Sequence, residues 1–191
     1  MAGRREGDIV LNPAVDLPHA CACNYLADNF LESPADSILF LDDDMVFDYD
    51  AVNQIRDAGH DFDILSGLAI SRRGNHKPVV LATERENGHP KPILDLKGIV
   101  ECGYVGLAFT LVRRWGLERI RKETNAPIFN FPVTVGEDGA FCDAARSIGA
   151  RIGVNTDINI GHRITFTGRW DRAAKTPVWE SCSFGLNTTG Q

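Results

Sequence analysis

Three groups of residues have the types and spacing to do chemistry. Ser37 to Asp50 reads S-I-L-F-L-D-D-D-M-V-F-D-Y-D, an apolar run that stops at three consecutive carboxylates. While the backbone stays extended, side chains alternate, so Asp42 and Asp44 share one side and Asp43 points to the other. Neighbouring carboxylates repel unless protons or a cation intervene, and clustered acidic oxygens suit a hard divalent ion such as Mg²⁺ or Mn²⁺. The competing account is that one Asp caps the following helix and the others are solvated. Glu137-Asp138 forms a second group, at a predicted helix start where the dipole and free N–H groups favour the ionised carboxylate. Such a group is a general base if a substrate hydroxyl comes within hydrogen-bonding distance; plain helix capping is the alternative. His162 follows Gly161 at the end of a strand-like segment and could ligate a borderline ion such as Mn²⁺ through a neutral imidazole. A lone histidine is more often a surface or core residue.

Two further features stand close to these groups in chain order. Arg72 and Arg73 follow a predicted strand and could reach phosphate or sugar oxygens, with simple solvent exposure as the alternative. Gly103 and Gly106 lie in a strand-like stretch, Cys102 to Val112, where glycine marks a bulge or a close approach by a ligand or another backbone. Tight packing explains such glycines equally well.

The elements that must position these groups are legible as patterns. Ile38-Leu39-Phe40-Leu41 is a short apolar run after the turn-like Ser33-Pro34, which reads as a strand covered on both faces. Ligands gather outside the carboxyl ends of such strands in open α/β sheets, which is where Asp42, Asp43 and Asp44 fall. Ile9-Val10-Leu11 looks like an earlier strand. After Pro18, Cys23, Leu26, Ala27, Phe30 and Leu31 share one helical face. Val52 and Ile55 suggest a short helix ending at Gly59, with Asp48 or Asp50 as cap. Asp63 to Ile70 reads as a buried strand. Strand, helix, strand, helix, strand is the order of a parallel sheet with crossover helices. Shorter strand candidates follow at 79–81, 93–96 and 99–101, joined by a Gly/Pro-rich connection over 86–92. Arg113 to Glu123 is a predicted helix with Leu117 and Ile120 inward. Phe129 and Phe131 lie in a loop that is either a mobile flap or an apolar plug. The last predicted helix begins near Gly136 and runs to Ile148, with Gly149 as its stop. Strand pieces at 152–154 and 158–160 lead to His162. From Arg163 to Gln191 the pattern fades, leaving a C-terminal tail of uncertain structure.

Composition narrows the function classes. At 191 residues and 43% hydrophobic content, the chain is most simply one globular domain spanning 1–191. A formal net charge of −6 and the lack of a basic tract argue against sequence-independent nucleic-acid binding. No apolar stretch approaches the length of a membrane span, and the first eight residues are charged rather than apolar, so the expected location is the cytoplasm. The five cysteines contain no C-x-x-C pair, which disfavours a structural zinc site and suits reduced, buried thiols.

Taken in order, the motifs resemble a glycosyltransferase of the GT-A fold, close to the family 2-like enzymes of bacteria and phages. The resemblance runs from about Asp16 to His162. It is carried by I-L-F-L-D-D-D-M-V-F with Asp42 and Asp44 as a D-x-D, by D-I-L-S-G-L-A-I-S-R-R at Asp63 to Arg73, by G-Y-V-G-L-A-F-T-L-V-R-R at Gly103 to Arg114, by G-E-D-G-A-F-C at Gly136 to Cys142, and by I-G-H at Ile160 to His162.

What the resemblance implies is a Rossmann-like α/β fold with a mostly parallel central sheet flanked by helices. It further implies sugar transfer from a nucleotide diphosphate donor to an acceptor hydroxyl on a carbohydrate, a lipid-linked group or a protein. Asp44 would bind Mn²⁺ or Mg²⁺ directly, Asp42 would hold the ion through water or touch the donor ribose, and His162 would complete the metal shell. Asp43, Arg72, Arg73, Gly103 and Gly106 would line the donor. Asp138 would deprotonate the acceptor for an inverting displacement, with Glu137 as the other candidate base. Two departures are visible. Family members begin with a strand and loop that hold the base, whereas little more than one predicted strand precedes the first helix here. Their early Arg-Asn pair appears as Cys23-Asn24. A second copy of the chain could complete the pocket.

Rival readings follow from the same residues. A non-catalytic nucleotide-sugar or carbohydrate binding domain of this fold would bind donor without transfer. A metal-dependent phosphoryl-transfer enzyme would need more carboxylates converging from several elements.

Overall fold

A computed structural model of the chain describes residues 5–70, 78–86, 89–124, 126–132, 136–163, 166–171 and 176–181, the last two stretches as backbone. In chain order the first elements are α1 (His19–Glu32), β1 (Ser37–Leu41), β2 (Met45–Val46), α2 (Ala51–Ala58) and β3 (Ile64–Ala69). Then come β4 (Val80–Glu86), β5 (His89–Pro92), β6 (Ile99–Glu101), β7 (Tyr104–Val105) and β8 (Phe109–Arg113). The chain continues through α3 (Arg114–Thr124), α4 (Gly136–Ser147), β9 (Ile152–His162), β10 (Phe166–Asp171) and β11 (Thr176–Ser181).

The main sheet has the strand order β1-β8-β3-β9-β2, with β6 also on β9. Its pairing corrects the expectation of a mostly parallel, Rossmann-like GT-A sheet. Only β3 and β9 pair in parallel; β1 with β8, β8 with β3, β9 with β2 and β9 with β6 are all antiparallel. The physical reason is insertion. The β1-α2-β3 segment has the order of a crossover unit, and β1 and β3 do run in one direction, but β8 enters between them from far along the chain. Leu39 and Leu65 both face Leu111 across this strand. Local patterning cannot reveal such a non-local partner. One consequence of the parallel expectation survives the correction: the carboxyl ends of β1, β3 and β9, and the amino end of β8, lie at the same edge.

Helices pack on both faces. Ile38 and Phe40 of β1 point into a core with Ala27 and Phe30 of α1, Leu117 and Ile120 of α3, and Phe141 and Ala145 of α4. Ile55 of α2 meets Leu65, Phe109, Leu111, Ile158 and Ile160 on the opposite face. The stripes on α1, α3 and α4 were legible because buried positions recur at three- and four-residue steps. Gly149, at φ +83°, ends the α4 segment in the left-handed conformation that glycine adopts without a Cβ penalty. Arg114 closes the other end of α1. Its guanidinium donates to the carbonyls of Phe30 at 3.0 Å and Leu31 at 3.1 Å, among the last helical acceptors, and lies 4.6 Å over the Phe30 ring.

Phe129 is the apolar plug rather than a flap. It is 1% exposed, stacks on Phe141 with centroids 4.7 Å apart, and meets Phe40 edge-on at 5.4 Å. Asn24 fixes its backbone from α1, accepting from Phe129 N at 3.0 Å and donating to Phe129 O at 2.7 Å. Phe129→Ala is expected to lower stability by about 3–5 kcal/mol, read from the midpoint of urea unfolding.

Several smaller expectations change. Ile9-Val10-Leu11 is no strand; Ile9 and Val10 are half exposed, and Arg5 and Asp8 tie this segment to α2 through Asp57 at 2.9 Å and Arg56 at 2.7 Å. The Gly/Pro-rich connection contributes β5, which pairs with β4, and 93–96 is irregular. The two pieces around 152–160 are one strand whose pairing with β3 shifts register between Gly67 and Leu68. Within the tail, β10 and β11 form an antiparallel pair of their own.

Candidate functional site

Four segments meet at the shared sheet edge: the turn after β1, the stretch before β8, the start of α4 and the start of α1. The turn continues the ladder, with Asp42 N donating to Ala108 O at 3.0 Å, and it closes as Met45 N reaches Asp42 O at 3.4 Å. Asp42 and Asp44 are half-buried and Asp43 is exposed, although the backbone turns here instead of staying extended as the alternation argument assumed.

His162 lies beside this turn. Met45 pairs with His162 and Val46 with Gly161 across β2 and β9, and Arg163 N donates to Asp44 O at 2.8 Å. The fold therefore brings Asp44 and His162, distant in sequence, to neighbouring positions. His162 Nδ1 is buried with no hydrogen-bond partner. A buried polar atom of this kind calls for an explanation, and a ligated metal ion is one. An oxygen and imidazole donor set suits Mn²⁺. Asp42, Asp44 and His162 are not drawn together as a trio, however. Among the described residues, the set with three donor atoms within 4.8 Å of one another is His19, Glu137 and Asp138.

His19, the first residue of α1, is the residue that sequence reasoning missed. Its Nδ1 is 2.9 Å from Glu137 Oε1 and its Nε2 is 3.4 Å from Asp42 Oδ1. It thus links the aspartate turn to α4. The Asp42 carboxylate, then the Cys23 sulfur at 3.9 Å, hold its pKa up, to about 11, so the ring is an imidazolium here. The available signal was a histidine one turn before Cys23 at the start of a helix leading into β1. Nothing in the spacing said which way it faced.

Asp138 lies across from the turn. Burial, and secondarily the negative charge of Glu137, push its pKa up to about 6, against the opposing pull of the His19 charge. Its Oδ1 is buried without a hydrogen-bond partner. A Cβ built on Gly106 would stand 3.6 Å from Asp138 Oδ2, so Gly106 borders the carboxylate at ordinary contact distance. Gly103 has a different reason: a Cβ there would fall 2.6 Å from Thr83 N, so backbone packing against β4 requires the glycine. Arg72 and Arg73 lie outside the described residues.

The raised Asp138 pKa has a consequence for stability. A carboxyl that titrates higher in the folded state than its ordinary 3.8 favours folding while protonated. Its contribution is fully present below about pH 4 and is lost as pH rises through about 6, a change of order 3 kcal/mol. Urea unfolding at pH 4, 5, 6 and 7 should show this decline in metal-free wild type, and Asp138→Asn should remove its share.

No helix among the described residues is long and apolar enough to cross a membrane. No family model and no curated protein matches the chain. Among solved structures it is similar to A197 from STIV, at 21% identity over 87% of this chain and 78% of that chain, with a TM-score of 0.52. That likeness concerns the fold alone: a mixed α/β architecture with a mostly antiparallel main sheet and small antiparallel sheets beside it.

Proposed function

We propose that this chain is a metal-dependent transferase that moves a sugar from a nucleotide diphosphate donor to an acceptor hydroxyl. The observation that carries the reading is the backbone approach of the aspartate turn to the end of β9, where Met45 pairs with His162 and Arg163 N donates to Asp44 O, with Asp138 at the same sheet edge. The mostly antiparallel sheet does not bear on this chemistry; the residues gathered at its edge do.

Such a reaction has an anionic leaving group and a weak nucleophile. Asp44 and His162 would hold the divalent ion, which supplies positive charge to the departing diphosphate when bound. Asp42, at the start of the same turn, lies 3.4 Å from His19 and would hold the ion through water or touch the donor ribose. Asp138 accepts the proton of the acceptor hydroxyl. A base of pKa about 6 is largely ionised at neutral pH, yet takes a proton more readily than an ordinary aspartate. Glu137 keeps Asp138 basic by repulsion and fixes His19 by direct contact.

Incubation with UDP- and GDP-sugars, with and without Mn²⁺, tests the reading through release of the nucleoside diphosphate. Release that depends on Mn²⁺ is expected, faster with acceptor than with water. Donor binding with no release under any condition would instead fit the non-catalytic binding domain.

A further inference from the structure

We propose that His19, Glu137 and Asp138 form a second divalent-cation site, distinct from the Asp44 and His162 pair and suited to a borderline ion such as Zn²⁺. This goes beyond the transfer reading and stands whether or not that reading does.

The spacing supports it. Ligand atoms about 2.0–2.2 Å from a common ion stand about 2.9–3.6 Å apart in tetrahedral or octahedral geometry. His19 Nδ1 and Glu137 Oε1 are 2.9 Å apart, and all three residues offer an atom within 4.8 Å of the others. Imidazole nitrogen and carboxylate oxygen are both zinc ligands, and three of them leave a fourth position for water. The His19 side chain is 39% exposed, which gives an ion a way in from solvent.

A second, independent feature is the group behind the imidazole. Asp42 Oδ1 lies 3.4 Å from Nε2, the ring nitrogen turned away from Glu137. A metal-bound histidine commonly has a carboxylate on its far nitrogen, which fixes the ring orientation and raises its basicity as a ligand. The buried Asp138 Oδ1, without a hydrogen-bond partner, adds an oxygen that a cation would satisfy. The dipole at the start of α4 opposes a cation. Asp42, Glu137 and Asp138 set three carboxylates against it.

An ion entering here replaces the proton shared between Nδ1 and Glu137. Under the transfer reading it also occupies the carboxylate that accepts the acceptor's proton, so Zn²⁺ would inhibit while Mn²⁺ at the other pair activates.

Calorimetric titration of the metal-free full chain with Zn²⁺ tests the site, with Co²⁺ absorption as a second readout and circular dichroism to check folding. We expect His19→Ala and Glu137→Gln each to weaken binding by at least about tenfold, the loss that even outer-shell partners cause. Asp44→Ala and Cys23→Ser should leave it within about twofold. If His19→Ala fails to fold, Glu137→Gln decides alone. Three results would overturn the proposal: no Zn²⁺ binding, binding unchanged in both His19→Ala and Glu137→Gln, or a thiolate-to-cobalt charge-transfer band that Cys23→Ser removes. Loss of the transferase reading with Zn²⁺ binding intact leaves this site standing, and Asp44→Ala keeps the two apart.

Discussion

Asp138→Asn is expected to lower the turnover of sugar transfer by about 10²–10⁴-fold, the range a positioned general base contributes. The amide keeps the size of the carboxyl group but cannot take a proton from an acceptor hydroxyl. Donor affinity should change little, because the proposed metal pair lies on β9 and the aspartate turn rather than on α4. The wild-type rate should also follow the ionised form of Asp138, rising with pH through about 6 and levelling above it. In the variant the residual rate should lose this step. Steady-state kinetics between pH 5 and 8 check both statements. A variant with full turnover would remove Asp138 from the chemistry, and Glu137→Gln would then be the next substitution to measure.

Asp44→Ala carries the second large effect. The side chain stands at the end of a turn pinned on both sides, by Asp42 N to Ala108 O and by Arg163 N to Asp44 O. These are backbone bonds, so the pinning of the turn does not depend on the carboxylate that the substitution removes. Mn²⁺-dependent donor binding should weaken at least about 100-fold, beyond the roughly 10- to 100-fold that loss of an outer-shell partner costs. Binding measured without metal should hardly change. Comparing the two conditions separates the loss of an ion from a general collapse of the pocket.

The helices were legible in the sequence and the sheet was not. Cys23, Ala27 and Phe30, or Leu117 and Ile120, repeat at the period of an α-helix, so a local pattern fixes the buried face. Strand partners depend on contacts far apart in the chain. Nothing in Phe109 to Arg113 announces that it divides β1 from β3, and the parallel sheet expected from the strand and helix order therefore failed.

The candidate site divides in the same way. The Asp42 to Asp44 turn was visible because carboxylates ended an apolar run, and the Glu137-Asp138 helix start because acidic residues stood at its first turn. His19 was invisible because a single imidazole becomes informative only when Asp42 and Glu137 are folded around it. Gly103 and Gly106 looked alike in sequence, yet backbone packing against β4 demands the first while the second borders Asp138. Phe129 left two readings open until Asn24 was seen to hold its backbone.

The proposed transferase requires that the aspartate turn and His162 hold one divalent cation for the nucleotide sugar. Calorimetric titration of UDP- and GDP-sugars into wild type and His162→Ala, with and without Mn²⁺, decides whether they do. Donor binding should require Mn²⁺ in the wild type and should lose that requirement, along with most of its affinity, in His162→Ala. Equal, Mn²⁺-dependent binding by both proteins would contradict this expectation.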